Sequence, residues 1–388
     1  MVLVRDTLGD LMDLFKFTPG ADPTILTGGV YLNNIKTVQW VERYRDAGEF
    51  EITAGVSSDL RSILPVGSMI SHLDTLEVML VESISIKDDD KEEEPKLSIR
   101  GRSLESWLRH RFVGDDVETY VLLGQRLYVN NIDYNLLLDT SWAQAVTLIE
   151  HHINNMGAIP NDEVVGFVPI SNQQHIGPST ALARIVRKQN LHSAVLELLA
   201  IDDFGIQTVR PNSGNVDPTT TEFRIHNGVD RSDSVIFSHT FGDLDASEYF
   251  WSDAALKTEY YCVSTFFEMR SDEGVSGFNR RVMFVDCSDI DSHLSDDEVT
   301  DVGVADAVGA AMDARGQQAL RSQVAVSLLA TDVSRNTRYK FKRDYDVGDL
   351  VTVNGNYDVE TIMRVVEHVS FQDENGESGY PTLAALNE

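Results

Sequence analysis

The sequence predicts a β-rich α+β protein with two small β-barrel-like domains, a mainly helical insertion between them and a connecting helix. The length of 388 residues exceeds what one ordinary hydrophobic core holds together. Short stretches in which apolar and polar residues alternate recur in residues 1–101, 206–290 and 331–388, as in strands with one buried face. Residues 102–205 instead repeat apolar side chains with the period of a helix.

Residues 1–101 are predicted to form the first β-barrel-like domain. Stretches 35–40 and 49–53 alternate apolar and polar side chains, and the turn-forming sequence Asp-Ala-Gly at 46–48 lies between them. Further strands are predicted at 68–71, 76–86 and 96–100. Five or six short strands with short connections make a small barrel or sandwich.

The acidic run DDDKEEEP at 88–95 is predicted to be the tip of a hairpin in this domain. A long acidic loop cannot be buried, and lengthening such a loop costs little. A calcium loop is the alternative, but the run lacks the alternating ligands and the central glycine of such loops.

Residues 102–205 are predicted to be the mainly helical insertion. Ser103 can cap a helix at 104–111, whose leucine and tryptophan side chains share one face. The other predicted helices are 142–154, 180–187 and 192–200. Stretch 120–129 has the pattern of a strand interrupted by Gly124.

The remaining chain is predicted to return to strands. Residues 206–290 begin the second β domain, 291–330 hold a connecting helix from about residue 302 to 330, and 331–388 complete that domain. The predicted strands are 206–210, 223–226, 235–241, 260–269, 281–285, 350–353, 361–371 and 380–384.

A turn at Asn227-Gly228 is predicted between two of these strands, because both residue types tolerate a positive φ. Arg231 stands between Asp230 and Asp233 in the sequence. We expect these three side chains to form a local charged cluster at the turn. An ordinary solvated turn is the alternative.

The charge of the chain is unusual. With 32 basic and 62 acidic residues the formal net charge is -30, which argues against nucleic acid or an anionic membrane surface as a bound partner. The chain has 38 Asp, 24 Glu, 9 Lys and 23 Arg residues. Many short carboxylates with few lysines suit a halophilic or marine source, where salt screens the self-repulsion. An acidic protein without salt adaptation is the alternative.

Cysteines and targeting signals add little. Cys262 and Cys287 are expected to be buried free thiols, although a disulfide between neighbouring strands stays open. The first residues do not combine a basic start with a long apolar core, so no signal peptide is predicted. No apolar run approaches the roughly 18 residues of a membrane span, and we expect a soluble chain.

No motif for catalysis, a cofactor or a metal is predicted. The sequence has neither a P-loop nor a dinucleotide-binding glycine motif after a strand. The adjacent His151 and His152 would point about 100° apart on a helix and cannot form a metal pair. Carboxylate pairs are common in so acidic a chain, so a two-carboxylate glycosidase stays only an open alternative.

Several blocks resemble, in order and spacing, a family of siphophage tail-hub proteins, also called minor tail or baseplate hub proteins. The family is distantly similar to the hub of contractile-tailed phages. The matching blocks are WVERY at 40–44, DAGEF at 46–50, LSIRGRSL at 97–104, GVDRS at 228–232, VIFS at 235–238, YDVGDLV at 345–351 and RVVE at 364–367.

The resemblance implies a structural protein of the virion, located at the tail tip and made in the host cytoplasm. Such hubs are homotrimers in which two similar barrels per subunit build a pseudo-sixfold ring. The ring would meet the distal tail protein ring and the tape measure protein on one side, and a central spike, tail fibre or receptor-binding protein on the other. The genome would pass through an acidic lumen without specific binding, because like charges repel. No direct membrane binding is implied.

Eight residues are predicted to fix turns or subunit contacts rather than to perform chemistry. They are Trp40, Arg43, Gly48, Arg102, Asp230, Arg231, Gly348 and Asp349. The alternative function is a carbohydrate-binding or glycan-degrading tail component, which would need exposed aromatic side chains, and Tyr249, Phe250 and Trp251 form the candidate run. A third possibility, an adaptor on the tail tube itself, fits poorly with 388 residues.

Overall fold

The structure is a computed structural model of the chain. It describes residues 14–19, 26–32, 35–56, 60–72, 75, 77–88, 95–111, 120–123, 126–129, 132–134, 139–140, 142–143, 145–146, 148–149, 181–182, 185–186, 190–209, 222–252, 254, 256–271, 274–291, 300, 302–321, 326–335, 337–355, 360–374 and 376–386.

Strands dominate the described part of the chain. They are β1 (Leu14–Pro19), β2 (Leu26–Tyr31), β3 (Thr37–Arg43), β4 (Glu49–Gly55), β5 (Met69–His72), β6 (Val78–Lys87), β7 (Lys96–Ser103), β8 (Tyr120–Leu123), β9 (Arg126–Val129), β10 (Ile132–Tyr134), β11 (Asp139–Thr140), β12 (Ala181–Leu182), β13 (Ile185–Val186), β14 (Gly205–Val209), β15 (Glu222–His226), β16 (Ile236–Ser238), β17 (Leu244–Ser252), β18 (Glu259–Val263), β19 (Glu268–Arg270), β20 (Val282–Asp286), β21 (Val326–Val333), β22 (Leu350–Asn354), β23 (Glu360–Asp373) and β24 (Gly376–Ala385).

Helices are fewer and mostly short. The α-helices are α1 (Leu60–Ile63), α2 (Leu191–Leu199), α3 (Ser288–Asp291) and α4 (Val302–Arg321). The 3₁₀ helices are Leu104–His110, Ala200–Asp202, His239–Phe241 and Gly277–Asn279. The described residues between 142 and 149 are also helical.

One sheet of eleven strands joins the two ends of the chain. Its strands follow the order β16-β22-β23-β3-β4-β7-β6-β5-β1-β2, and β24 pairs with β23. The long strand β23 lies antiparallel to β3, so that Val369 pairs with Val41. Strands predicted for the first domain and for the C-terminal segment therefore share one hydrogen-bonded sheet.

The alternating pattern of these strands explains their burial. In β4, Phe50 and Ile52 are buried while Glu49 is exposed, as the sequence pattern predicts. A first core gathers Trp40, Phe50, Ile52, Ile70 and Ile99, and a second core collects Phe237, Tyr345, Val351 and Val365. The predicted hairpin is confirmed by the pairing of β6 with β7 up to Lys87 and Lys96, while residues 89–94 lie outside the described residues.

Segment 102–205 departs from the prediction of a mainly helical insertion. The helix predicted at 180–187 is wrong, because β12 and β13 occupy this stretch and pair with β11 and β8. Strands β8 and β9 confirm the strand predicted at 120–129, and α2 confirms the helix predicted at 192–200. The described part of the segment is therefore mixed in helices and strands.

The start of this segment is a 3₁₀ helix rather than the predicted α-helix. Ser103 has no capping hydrogen bond there, because its Oγ accepts the backbone N–H of Gly48 at 2.8 Å. Leu104 and Leu108 are still buried together, as the apolar face predicted. The predicted cap was wrong because a serine hydroxyl can serve a turn 55 residues away as well as its own helix.

Helix α4 ends at Arg321, nine residues before the predicted end. The β-branched and aliphatic residues of β21 pair instead with β17, so that Tyr249 lies opposite Leu329. Helix α4 packs on the three-stranded sheet β19-β18-β20 around Tyr260, Cys262 and Met312. Cys262 and Cys287 are buried free thiols there, as expected.

The β-rich fold class is confirmed, with few helices among the described residues. No sheet closes into a barrel in the part of the chain that the structure describes. The division into domains at 101, 205, 290 and 330 stays a prediction. No helix in the described ranges is both long and apolar enough to span a membrane.

Candidate functional site

The turn after β15 is held by a distant carboxylate. Asp349 is buried, and its carboxylate accepts the backbone N–H of Val229 at 2.7 Å and that of Asp346 at 2.8 Å. It also accepts a hydrogen bond from Nε of Arg231 at 2.6 Å. Burial raises the pKa of Asp349 although these three donors oppose the effect.

The charged cluster predicted at this turn was partly wrong. Arg231 forms an ion pair with Asp349, 118 residues away, and Asp230 instead accepts the N–H and the hydroxyl of Ser232. The backbone of Arg231 donates to the carbonyl of Leu350 at 2.9 Å. The turn is therefore fixed by contacts with the C-terminal segment rather than by its own charges.

Two glycines allow these segments to meet. Gly228 has φ +70° and Gly348 has φ +95°, conformations that residues with a Cβ rarely adopt. A Cβ on Gly228 would lie 2.0 Å from the carbonyl oxygen of Gly348. A Cβ on Gly348 would lie 2.7 Å from the ring of Tyr44. The positive φ predicted for the Asn-Gly turn is confirmed at Gly228.

Tyr44 lies at the centre of this meeting point. Its hydroxyl donates to the carbonyl oxygen of Asp203 at 2.5 Å, and the carbonyl oxygen of His226 lies 3.2 Å from the same hydroxyl. Its backbone bonds to Val366 and to Ile206, both at 2.9 Å. Burial raises the pKa of Tyr44, so the hydroxyl stays a donor.

Arg364 completes what we call the tyrosine junction, which comprises Tyr44, Asp203, His226, Gly228, Arg231, Gly348, Asp349 and Arg364. The guanidinium of Arg364 lies over the ring of Tyr44, 4.9 Å from its centroid. It donates to the carbonyls of Asn227, at 2.7 Å, and Gly348, and pairs with Asp203 at 2.5 Å. Asp203, at φ 59°, also pairs with Arg45.

Buried acidic groups lie close to the junction. The ammonium of Lys342 is 3.0 Å from Glu42 and 2.7 Å from Asp346. Burial raises the pKa of Glu42, and burial together with Glu42 and Glu105 raises that of Glu77 well above its ordinary value. Burial raises the pKa of Glu105 to about 7. Burial and the neighbouring carboxyl groups therefore favour the protonated form of Glu77.

The other predicted residues lie on the large sheet. Trp40 is buried and donates from Nε1 to Glu42 at 3.2 Å. Arg43 joins three strands by donating to Glu49, Glu367 and the carbonyl of Ala47.

Gly48 lies in the turn just before β4, and Arg102 lies in β7, the strand that pairs with β4. A Cβ on Gly48 would lie 2.5 Å from the carbonyl oxygen of Val41, so the turn before β4 needs glycine. Arg102 forms a bidentate pair with Glu82 at 2.8 and 2.9 Å. Thus Asp230, Arg231, Gly348 and Asp349 come together at one turn. Gly48 and Arg102 lie elsewhere, beside β4 and in β7.

The arrangement fixes backbone segments and offers little for chemistry. A polar cleft of about 190 Å³ beside the junction is lined by Arg224, His226, Arg231, Asp346 and others. Burial lowers the pKa of His226 to about 4, so this imidazole carries no charge at neutral pH. Among the described residues, no group of three His, Cys, Asp or Glu side chains is placed to hold a metal ion.

The sequence matches the profile of a family described as siphovirus ReqiPepy6 Gp37-like protein over residues 22–380. The chain belongs to this family. The resemblance to siphophage tail proteins is therefore confirmed. No curated protein matches the sequence.

Solved structures show the fold of this Gp37-like chain in phage tail proteins. The tail protein of Neisseria meningitidis MC58 matches with a TM-score of 0.52 at 12% identity, covering 96% of this chain and 95% of that one. The 43 kDa tail protein of prophage MuSo2 from Shewanella oneidensis gives 0.55 at 9%, covering 96% and 98%. Prophage tail protein gp18 from Listeria monocytogenes EGD-e gives 0.53 at 11%, covering 97% and 95%.

Some junction residues of the Gp37-like chain were not predicted as site residues. Tyr44 and Arg364 belong to the blocks that carried the resemblance, but their contacts with Asp203 join positions 159 and 161 residues apart. No local pattern reports such partners. The aromatic run of the glycan-binding alternative lies in β17, and its side chains are outside the described residues.

Proposed function

We propose that this protein is the tail hub of a siphovirus-like phage. It forms a homotrimeric ring that joins the distal tail tube to the tail-tip or receptor-binding apparatus, and the genome passes through the ring. It has a structural role, without a catalytic centre or a cofactor.

The correspondence with phage tail proteins over nearly the whole chain carries this proposal. The three tail proteins match at least 96% of this chain, and this chain matches at least 95% of each of them. An inserted enzymatic domain would lower the matched share of this chain. Membership of the Gp37-like family over residues 22–380 supports the same conclusion.

The connections within the fold suit a part that bears load. Strand β23 links β3 to β22, and the tyrosine junction binds the segments at 203, 226–231 and 348–364 to the end of β3. Backbone and side-chain hydrogen bonds thus tie together segments that are far apart in the sequence. The partners implied by the resemblance are the distal tail ring, the tape measure protein and a central spike or receptor-binding protein.

The mass of the purified protein in solution tests the trimer. Light scattering in low and in molar salt should give three times 43.2 kDa in at least the high-salt sample. A monomer in both samples contradicts a preassembled ring. Labelling of virions with an antibody to this chain should mark the tail tip, and label along the whole tail would contradict the hub assignment.

The lumen of the ring provides a separate test. Like charge keeps DNA from adhering, so we expect the inner wall of the trimer to be more negative than its outer surface. A solved ring whose lumen is no more negative than its outside would contradict this part of the proposal.

A further inference from the structure

The three-stranded sheet β19-β18-β20 has one covered face and one open face. Tyr260 and Cys262 of β18 and Val285 of β20 are buried against helix α4. Successive strand residues point to opposite faces, so Val282 and Phe284 of β20 point away from the helix. Their side chains are 41% and 65% exposed. The outward face of β20 therefore presents two uncovered apolar side chains, followed at the end of the strand by the exposed Asp286.

A third exposed apolar side chain, Phe278, lies in the turn that leads into β20. Its side chain is fully exposed. We call Phe278, Val282 and Phe284 the phenylalanine surface. The seven positions from 278 to 284 hold three of the eleven large apolar side chains that are exposed among the described residues. Such concentration marks an interaction surface, whereas single exposed apolar residues are ordinary.

The turn that carries Phe278 is held in place. Gly277 adopts φ +67°, and the backbone N–H of Arg280 bonds to the carbonyl of Gly277 at 3.2 Å. The hydroxyl of Thr258 donates to the carbonyl of Asn279 at 3.2 Å and accepts the N–H of Arg281 at 2.9 Å. An aromatic ring on a fixed turn contributes to binding with little loss of backbone freedom.

The charges beside this surface differ from those of the whole chain. Arg270 and Arg280 both pair with the same oxygen of buried Glu259, at 2.8 and 3.0 Å, so two guanidinium groups share one carboxylate. Residues 256–286 contain four basic and five acidic side chains, so this segment is close to neutral. Arginine and aromatic residues are the types enriched in the centres of protein interfaces.

We propose that the phenylalanine surface is a contact between copies of this chain, an inference that rests on the proposed trimer. A second copy carries the same net charge of -30, so most contacts between copies would be repulsive. The cluster in which Arg270 and Arg280 share the carboxylate of Glu259 has one guanidinium group more than carboxylates, so it can meet an acidic surface of the next copy without this cost. The contact is then heterologous, and three of them close a ring.

The backbone of β20 gives the contact a second element. In the order β19-β18-β20 this strand has one neighbour, so its other edge presents free N–H and carbonyl groups among the described residues. A neighbouring copy can satisfy these groups while it covers Phe284. One neighbouring copy could therefore pair with the free edge of β20 and cover its outward face at the same time.

Two substitutions and a matched control test the surface. Sedimentation equilibrium in molar salt should show Phe278→Ser and Phe284→Ser each raising the trimer dissociation constant roughly tenfold or more. Phe241 is 65% exposed, like Phe284, but lies outside the surface. Phe241→Ser should leave the dissociation constant unchanged. Circular dichroism and melting should match the wild type for Phe278→Ser, because this ring packs on nothing.

A charge pair at the same exposed position tests the acidic character of the partner. At the lowest salt that keeps the wild type trimeric, Phe278→Glu should weaken association more than Phe278→Lys does, by roughly tenfold. Equal effects or the reverse order would overturn the acidic partner. A trimer that survives both serine substitutions overturns this inference and leaves the hub proposal standing. A wild type that is monomeric at every concentration and salt overturns this inference and the preassembled ring.

Discussion

Gly228 and Gly242 separate backbone strain from close packing at the level of single residues. Their φ angles are +70° and +73°, but an added Cβ meets the Gly348 carbonyl at 2.0 Å only at Gly228. At Gly242 nothing lies within 4 Å. We expect Gly228→Ala to lower the free energy of unfolding by about 3 kcal/mol or more, and Gly242→Ala by about 1 kcal/mol. Denaturant titration measures both, and equal losses would show that the junction is not closely packed.

Glu105 predicts a pH-dependent stability. Burial raises its pKa from the ordinary 4.5 to about 7. The folded state therefore keeps a proton that the unfolded chain releases, so stability falls as pH rises from about 4.5 and the loss is complete above the folded pKa. Glu105→Gln cannot ionise. It should match the wild type near pH 5 and exceed its free energy of unfolding at pH 8 by on the order of 3 kcal/mol.

Denaturant titrations at the two pH values test this expectation. Glu374 lies exposed at the 373–376 turn, and Glu374→Gln is the matched control that should change neither value. A constant difference between Glu105→Gln and the wild type at both pH values would show that Glu105 does not titrate in the folded state over this range.

Single residues were predicted well where the requirement is local. The positive φ of Gly228 follows from Asn-Gly turn chemistry, and the burial of Trp40 follows from strand alternation. The partner of Arg231 could not be predicted, because Asp349 is 118 residues away and nearby Asp230 and Asp233 were equally plausible in the sequence. The chain offers 62 carboxylates, so only the fold selects the right one.

Between elements, the ion pairs of the large sheet differ in what they connect. Arg43 is 26% exposed and joins β3 to Glu49 of β4 and Glu367 of β23. Arg100 is 61% exposed and pairs with Glu51 of the adjacent strand. We expect Arg43→Met to cost about 1–2 kcal/mol of unfolding free energy and Arg100→Met less than about 0.5 kcal/mol. Thermal and denaturant unfolding compare the two, and equal costs would show that bridging three strands adds nothing.

Strands were easier to predict than helices in this chain. Alternation over 49–53 reports the buried face of β4 directly, since a side-chain period of two needs no partner. The stretch 180–187 has helix-forming residues but contains β12 and β13, so pairing with distant strands overrode local preference. The apolar, β-branched residues at 326–333 equally fit the end of a helix until β17 supplies a partner.

The charge of the whole molecule predicts a dependence on salt. At a net charge of -30, self-repulsion opposes the folded state, and salt screens it. We expect the melting temperature to rise steadily from low to molar sodium chloride. A melting temperature that stays constant or falls with salt would contradict adaptation to a saline host.

The family was identifiable from the sequence because its blocks hold the turns that need special residues. DAGEF surrounds Gly48, and YDVGDLV contains Gly348 and Asp349, whose roles in the fold restrict substitution. The pairing of β3 with β23 was not predictable. Apolar and polar residues alternate in both strands, and this pattern does not show which strand each one pairs with. For the same reason the strands at 331–388 were predicted only to complete the second β domain.

The pairing of β3 with β23 also affects how the chain folds while it is being synthesised. The ribosome makes β3 more than 300 residues before β23. The two strands can pair, from Arg43 with Glu367 to Val38 with Gln372, only after β23 has been made. Until then β3 has an unpaired edge on a nascent chain, and such edges invite aggregation. Contacts so distant in sequence also slow folding. Chains released before β23 has been made should therefore be found with chaperones or in inclusion bodies.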